Sequence, residues 1–299
     1  MTDNEITENS ESGVMIKGSS LLRDVLVQLR RNRLAIGGTF ILLVFIFMAI
    51  FANFITPYKP LSQNWAEVQR PPSFEHPFGT DELGRDMLTR IIFGARISMT
   101  IGIISVSIGL FFGGMIGVIA GYFGGLSDNI LMRLMDIMLA IPYVLLAIAI
   151  VAVLGPGLWN TMIAIGVVTI PRFARIARSS VLEVSTMDYV EAVKAVGAGH
   201  RRILVHHILV NSLSPLIVQS TLTLASAILN AAALGFLGLG AQPPTPEWGA
   251  MLSDGRKLLM VSPWIVTFPG IAIMLSVLGF NMLGDGLRDA LDPKMKKVR

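Results

Sequence analysis

Apolar runs close to the ~20 residues needed to cross a bilayer core recur along this chain, and nothing constrains its fold more. They fall at Leu34–Ile55, Ile97–Tyr122, Leu134–Leu154, Leu158–Arg178, Ser212–Gly235 and Trp264–Leu283. A soluble core imitates one such run, but not six. Charged residues make up 15% of the 299 residues, against about 25% in soluble domains. The expectation is an all-α membrane protein with six transmembrane helices. The absence of cysteine excludes disulfides, thiolate metal sites and cysteine nucleophiles.

The segments between the spans are distinctive. Residues 1–20 are polar and acidic, with Asp3, Glu5, Glu8 and Glu11. They read as a disordered tail, and without a basic n-region no signal cleavage is expected. Residues 21–57 hold an amphipathic basic helix, Leu21–Arg33, suited to a lipid surface, and then the first span. Residues 58–96 form a polar connection that clusters Asp81, Glu82, Arg85 and Asp86. Carboxylates could bind a hard cation, but Arg85 stands among them, so a capped, salt-bridged interfacial helix is the better reading.

The core, residues 97–285, carries three patterns. Gly109, Gly113, Gly117 and Gly121 repeat every four residues along one face of the second span, a surface for close helix packing. In the third span Pro142 is tolerable as an internal kink, and Arg172, Arg175 and Arg178 at the end of the fourth can snorkel to headgroups. In the fifth, Gln219, Thr223, Ser226 and Asn230 continue a polar stripe begun at Pro215. Such a stripe either lines a translocation path or bonds a neighbouring helix.

Between the fourth and fifth spans lies a polar island, Met187–Val210, inside a loop of about residues 179–211. Asp188 is placed to cap a short helix, with Glu191 completing a capping box. Val190, Ala192, Val193 and Ala195 give it a small apolar face, and Gly197 suits the left-handed position that stops it. A stopped helix of that kind can dock into a groove of another protein. Of 24 Lys and Arg, 17 fall on the side of the island and both termini, including the basic tail 286–299. The positive-inside rule therefore puts that side in the cytoplasm.

No G-x-x-x-x-G-K-[ST], H-E-x-x-H or G-x-S-x-G occurs, so no motif for nucleotide binding or hydrolytic chemistry is present. A secondary transporter would want deep ionisable residues and an internal repeat; Asp136 and Asp285 lie near helix ends and no repeat is visible.

Glu191-Ala-Val-Lys-Ala-Val-Gly197 followed by Leu209 resembles the E-A-A loop of permease subunits in prokaryotic ABC importers. Gly79-Thr-Asp-Glu-Leu-Gly-Arg-Asp86, Gly94-Ala-Arg-Ile-Ser98, Leu154-Gly-Pro-Gly-Leu158, Phe236-Leu-Gly-Leu-Gly240 and Gly284-Asp-Gly-Leu-Arg-Asp-Ala-Leu-Asp-Pro293 are similar to the second, C-type permease of the dipeptide/oligopeptide/nickel importers. The chain departs from the loop pattern at Val193, His207 and Val210, which leaves Pro215 as the nearest helix-bending residue.

The resemblance, over residues 20–295, implies the type I ABC importer permease fold in a prokaryotic plasma membrane. It implies a heterodimer with a homologous second permease, two cytoplasmic ATPases that bind the ATP and Mg, and an extracytoplasmic solute-binding protein. This chain itself would bind no cofactor, metal or nucleic acid, and its lasting small-molecule contact would be membrane lipid. The coupling helix of that family would fall on Asp188, Tyr189, Glu191, Ala192 and Gly197. Peptide is the expected substrate, with nickel or another small solute as the alternative. Of the four histidines three lie on the island, so no metal pathway is apparent.

Overall fold

A computed structural model describes residues 27–291; the acidic tail, most of the amphipathic segment and residues 292–299 lie outside it. The described residues are helical and carry no strand beyond one isolated bridge between Thr80 and Asp86. The main helices are α1 (Arg33–Ile55), α2 (Met87–Phe123), α3 (Gly125–Ala140), α4 (Tyr143–Leu154) and α5 (Leu158–Ser185). They are followed by α6 (Asp188–Ala195), α7 (His200–Phe236), α8 (Trp248–Gly255) and α9 (Trp264–Leu291).

Four of these, α1, α2, α7 and α9, are long and apolar enough to cross a bilayer, and α3 with α4 makes a fifth if the bent pair is one span. That bend corrects the single third span expected from the sequence. The chain breaks at Ile141–Pro142 and turns by 94°. A proline cannot donate to the preceding turn and pushes the residue before it out of the helical region, and Ile141 is accordingly extended. In α5, by contrast, Pro171 is absorbed without ending the helix.

A second correction concerns α2. Its first ten residues were assigned to the polar connection, yet the helix is continuous from Met87, 37 residues in all. Asp86 starts it by accepting from the Thr89 N–H at 2.8 Å and the Thr89 hydroxyl at 2.6 Å. Asp81 pairs with Arg85 at 2.6 Å and with Arg90 at 3.5 Å, while His76 bridges Asp86 and Glu67. Asp81 and Asp86 are thus consumed in caps and ion pairs, while Glu82 is exposed.

The glycines of α2 lie against α5. A β-carbon on Gly109 would stand 2.1 Å from the Thr169 hydroxyl, on Gly113 2.5 Å from the Ile170 carbonyl, on Gly117 2.2 Å from the Ala174 carbonyl, and on Gly121 2.9 Å from the Arg178 carbonyl. From Gly113 to Gly121 the α2 backbone meets the α5 backbone, the geometry that replaces hydrophobic force where lipid is as apolar as leucine. Ser105 adds a bond to the Met162 carbonyl at 3.0 Å, whereas Gly102 faces Ile228 of α7.

The same device joins α1 to α9, where Gly38 meets the Gly279 carbonyl and Gly286 meets Ala35. Asn32 caps α1 and reaches across to Asp289 at 3.2 Å. At the other end of the bundle Trp248 donates to the Ile91 carbonyl and Trp264 to the Thr80 carbonyl, and Phe78 stacks on Phe268 at 4.0 Å. These contacts tie the polar connection to α8 and α9.

Near the island, α3 is strapped to α5 by Asp128–Arg178, a two-bond pair at 2.5 Å, and Asp136–Arg175 at 2.6 Å. Two of the three arginines expected to snorkel are therefore neutralised by carboxylates of a neighbouring helix.

Replacing Gly117 by Ala forces α2 off α5 and should cost about 1–3 kcal/mol, read as a lower melting temperature of the detergent-solubilised protein. Gly114, whose β-carbon would meet nothing within 4 Å, should accept Ala with a gain of up to about 1 kcal/mol.

Candidate functional site

The island forms a compact unit at one end of the bundle. After α5 ends at Ser185, the chain turns at Thr186 and Met187, and Met187 is extended. The Met187 carbonyl accepts from Val190 and Glu191 and so opens α6. The capping box expected from the sequence does not form. Asp188 is already the first helical residue and no side chain caps the helix. With the start fixed by the Met187 carbonyl, Asp188 and Glu191 act instead as first-turn charges, opposite Lys194 in the last turn.

The far end of α6 is a Schellman stop. Gly197 has φ +82°, its N–H bonds the Lys194 carbonyl at 2.9 Å, and the Ala198 N–H bonds the Val193 carbonyl at 3.3 Å. Space around Gly197 is open. The requirement there is backbone handedness, not room.

The apolar face also differs from the sequence expectation. Val190 is fully buried among Val181, Val184, Ile203 and Ile208, with Val193 and Ala198 packed against them. An amphipathic helix of eight residues cannot hold its position by its own hydrogen bonds, so it must bury a valine in its own protein. What it exposes is Asp188, Glu191, Ala192, Ala195 and Gly197, with Val196 at 89% exposure. Tyr189 fixes the other flank: its hydroxyl donates to the His207 carbonyl at 3.1 Å and accepts from Asn211 at 2.9 Å. Tyr122 of α2 reaches His200 at 2.7 Å.

α6 is thus anchored both to the end of α5 and to the base of α7. That base is unusual. Ile203–Leu209 is π-helical, a widened turn of the kind frequent at functional sites. The wide turn ends just before Val210, one of the departures from the family loop, and α7 then runs through Pro215 unbroken.

The polar stripe lies farther along α7. Gln219 and Thr223 are buried, and the Gln219 amide donates to the Thr223 hydroxyl at 2.8 Å. Ser226 and Asn230 are half-buried and bond carbonyls of α7 itself, at 3.0 and 2.6 Å. All four therefore find hydrogen-bond partners within their own helix. The stripe lies on α7 and Asp188–Gly197 on α6 and its stop, so the two do not form one site.

Sequence reasoning missed two elements here. The inward role of Val190 is visible only in retrospect, as the residue on α6 facing the valines of α5. A cavity of about 520 Å³ lined by Gln219 together with Arg172 and Arg288 joins residues more than a hundred positions apart, which no local pattern signals. Among the described residues no group of three or more His, Asp or Glu side chains could hold a metal.

Comparison with known proteins places this architecture. The profile of the binding-protein-dependent transport system inner membrane components matches residues 113–297, and that of the N-terminal transmembrane domain of oligopeptide transport permease C matches residues 20–72. The chain is 54% identical to the dipeptide transport system permease protein DppC of Alkalihalophilus pseudofirmus, over 92% of this chain and 90% of that one. It is 49% identical to the di/tripeptide transport system permease protein DppC of Pseudomonas aeruginosa, over 93% and 94%. It is 44% identical to the glutathione transport system permease protein GsiD of Pectobacterium atrosepticum, over 90% and 89%.

Among solved structures, an inward-facing MetNI methionine ABC transporter superimposes with a TM-score of 0.57 at 19% identity, over 69% of this chain and 98% of that one. That likeness concerns the fold. The helices, the island and the matched sequence agree, and the chain belongs to the binding-protein-dependent transport system inner membrane component family.

Proposed function

We propose that this chain is one of two permease subunits of an ATP-driven importer of short peptides. The observation that carries the substrate class is the 54% identity, across nine-tenths of both chains, to a dipeptide permease. In this reading α5 completes a set of six transmembrane helices with α1, α2, the α3–α4 pair, α7 and α9. Both termini and the island face the cytoplasm, as the positive-inside count requires. A homologous second permease forms the other half of the path, two cytoplasmic ATPases drive it, and an extracytoplasmic binding protein delivers the peptide.

The exposed strip of α6, Asp188, Glu191, Ala192, Ala195 and Gly197, is the surface offered to the ATPase. Closure of the ATPases on ATP pulls α6, and because Val190 and Tyr189 lock it to α5 and α7, those two helices move with it. The rigid packing of α5 on α2 carries the movement outward. The Gln219–Asn230 stripe lines the passage so created. A secondary transporter would need no such soluble partner, and nickel would need ligands that the described residues do not gather.

Cells lacking the gene should fail to take up labelled alanyl-alanine and regain uptake with the intact chain; unchanged uptake after deletion overturns the peptide reading. Gly197→Asp should abolish that uptake at normal membrane abundance, since the left-handed backbone costs about 1–2 kcal/mol with a side chain and the new carboxylate stands on the docking strip. Normal uptake in the variant would sink the coupling assignment. Tyr189→Phe keeps the ring but loses hydrogen bonds worth about 1 kcal/mol each; a several-fold drop in uptake with unaltered abundance is the expected result.

A further inference from the structure

Three arginines descend α5 toward the island, and they do not share one fate. Arg175 and Arg178 are held by Asp136 and Asp128. Arg172 forms no hydrogen bond or ion pair with any side chain among the described residues. It lies about 21 Å along α5 from Leu158, toward the island end, and its side chain is exposed. An arginine so placed snorkels to headgroups or serves a partner or a wet cavity.

The cavity is present. A space of about 520 Å³ opens between α5, α7 and α9, and its wall carries Arg172, Ser214, Pro215, Gln219 and Arg288. Arg288, in the last turn of α9, likewise has no side-chain partner among the described residues. Two carboxylates share its turn, but Asp289 is engaged by Asn32 and neither Asp289 nor Asp285 lines the cavity. Gln219, the first amide of the polar stripe, is buried at the cavity's edge.

With the stripe read as the passage, the cavity stands at its basic end. Among the described residues its lining has two cations and no carboxylate, and its volume lies inside the range that takes small ligands. Guanidinium groups recognise carboxylates by charge-assisted, forked hydrogen bonds.

We propose that Arg172 and Arg288, with Gln219, form a carboxylate-binding release site on the island side of the path, which holds the C-terminal carboxylate of a peptide before it leaves. The site rests on the peptide reading above and adds to it a chemical requirement: a free carboxylate. The neutral, hydroxyl- and amide-lined stretch from Asn230 to Thr223 passes the peptide backbone without selecting side chains, and the arginines end the lane with an anion trap. Gln219 completes the grip by hydrogen bonding. A lipid phosphate has related chemistry and is the competing occupant.

The transporter, purified with its native subunits in nanodiscs of phosphatidylcholine, is probed by saturation-transfer NMR with alanyl-alanine and with alanyl-alanine amide. The wild type should bind the free acid at least about tenfold more tightly than the amide, the loss of one charge-assisted bond. R172Q/R288Q should bind both equally weakly, and R172K/R288K, which keeps the charge, should retain the preference while showing that the pair of positions tolerates change. Equal binding of acid and amide by the wild type, no binding of either, or a preference that survives in R172Q/R288Q overturns the site. Loss of the acid signal when phosphatidylglycerol is added assigns the arginines to a lipid phosphate and also overturns it. Uptake of alanyl-alanine by cells separates the two levels: its absence in the wild type sinks the peptide reading, whereas normal uptake without carboxylate preference sinks only this site.

Discussion

The approach of α2 to α5 is the contact on which the rest of the structure depends. In hydrocarbon, helices gain nothing by hiding apolar side chains from one another, so association must come from packing at short range. Four glycines supply it over the stretch where α2 meets Thr169 through Val181 of α5. Because the two backbones touch, neither helix can slide or roll without lifting off the other. Everything that α5 carries is thereby placed: Arg172 on the cavity, Arg175 and Arg178 on α3, and Val181 and Val184 under the island. A looser interface filled with leucine would hold the helices together but would not fix their rotation.

The ionisable groups follow a matching division. On the side of the bundle away from the island, Asp81, Arg85, Asp86, Arg90, Glu67 and His76 are spent on one another and on caps. They build a firm rim whose tryptophans hold the ends of α2 and α9. Burial without a cation at hand pushes the Glu247 carboxyl upward, yet its oxygens cap α8 through Gly249 and Ala250, so that group too is structural. Arg172 and Arg288 are not spent in this way, and they share one cavity.

What the sequence made legible was periodic or local. The apolar runs, the glycine spacing of four, the stop at Gly197 and the clustering at Asp81–Asp86 each concern residues within a turn or two of one another, and each corresponds to a contact or a dihedral angle in the fold. The misreadings came where a tertiary demand decided the outcome. Pro142 breaks a helix while Pro171 does not, and both sit in similarly apolar runs; α5 is supported through its length by α2, whereas the α3–α4 junction has no comparable backing. Asp188 has the chemistry of a cap, but the start of α6 is fixed by the Met187 carbonyl and by the burial of Val190. At Val210, one of the departures from the family pattern, the chain passes from the π-helical turn straight into the α-helical part of α7.

The placement of the island and the polar stripe on one helix has a mechanical consequence. Asn211, which holds Tyr189, and Gln219, which opens the stripe, are eight residues apart, about 12 Å along α7. Between them lies continuous α-helix, with the one irregular turn, Ile203–Leu209, on the island side of both. A helix transmits displacement along its axis with little loss, while a π turn can shift register at small cost because its hydrogen bonds are already strained from the α pattern. Movement of α6 therefore reaches α7 by two routes: the Tyr189–Asn211 bond beyond the π turn, and the chain itself through that turn. The direct bond makes the linkage stiff where the chain alone would make it compliant, so Tyr189 sets how firmly α6 is joined to α7.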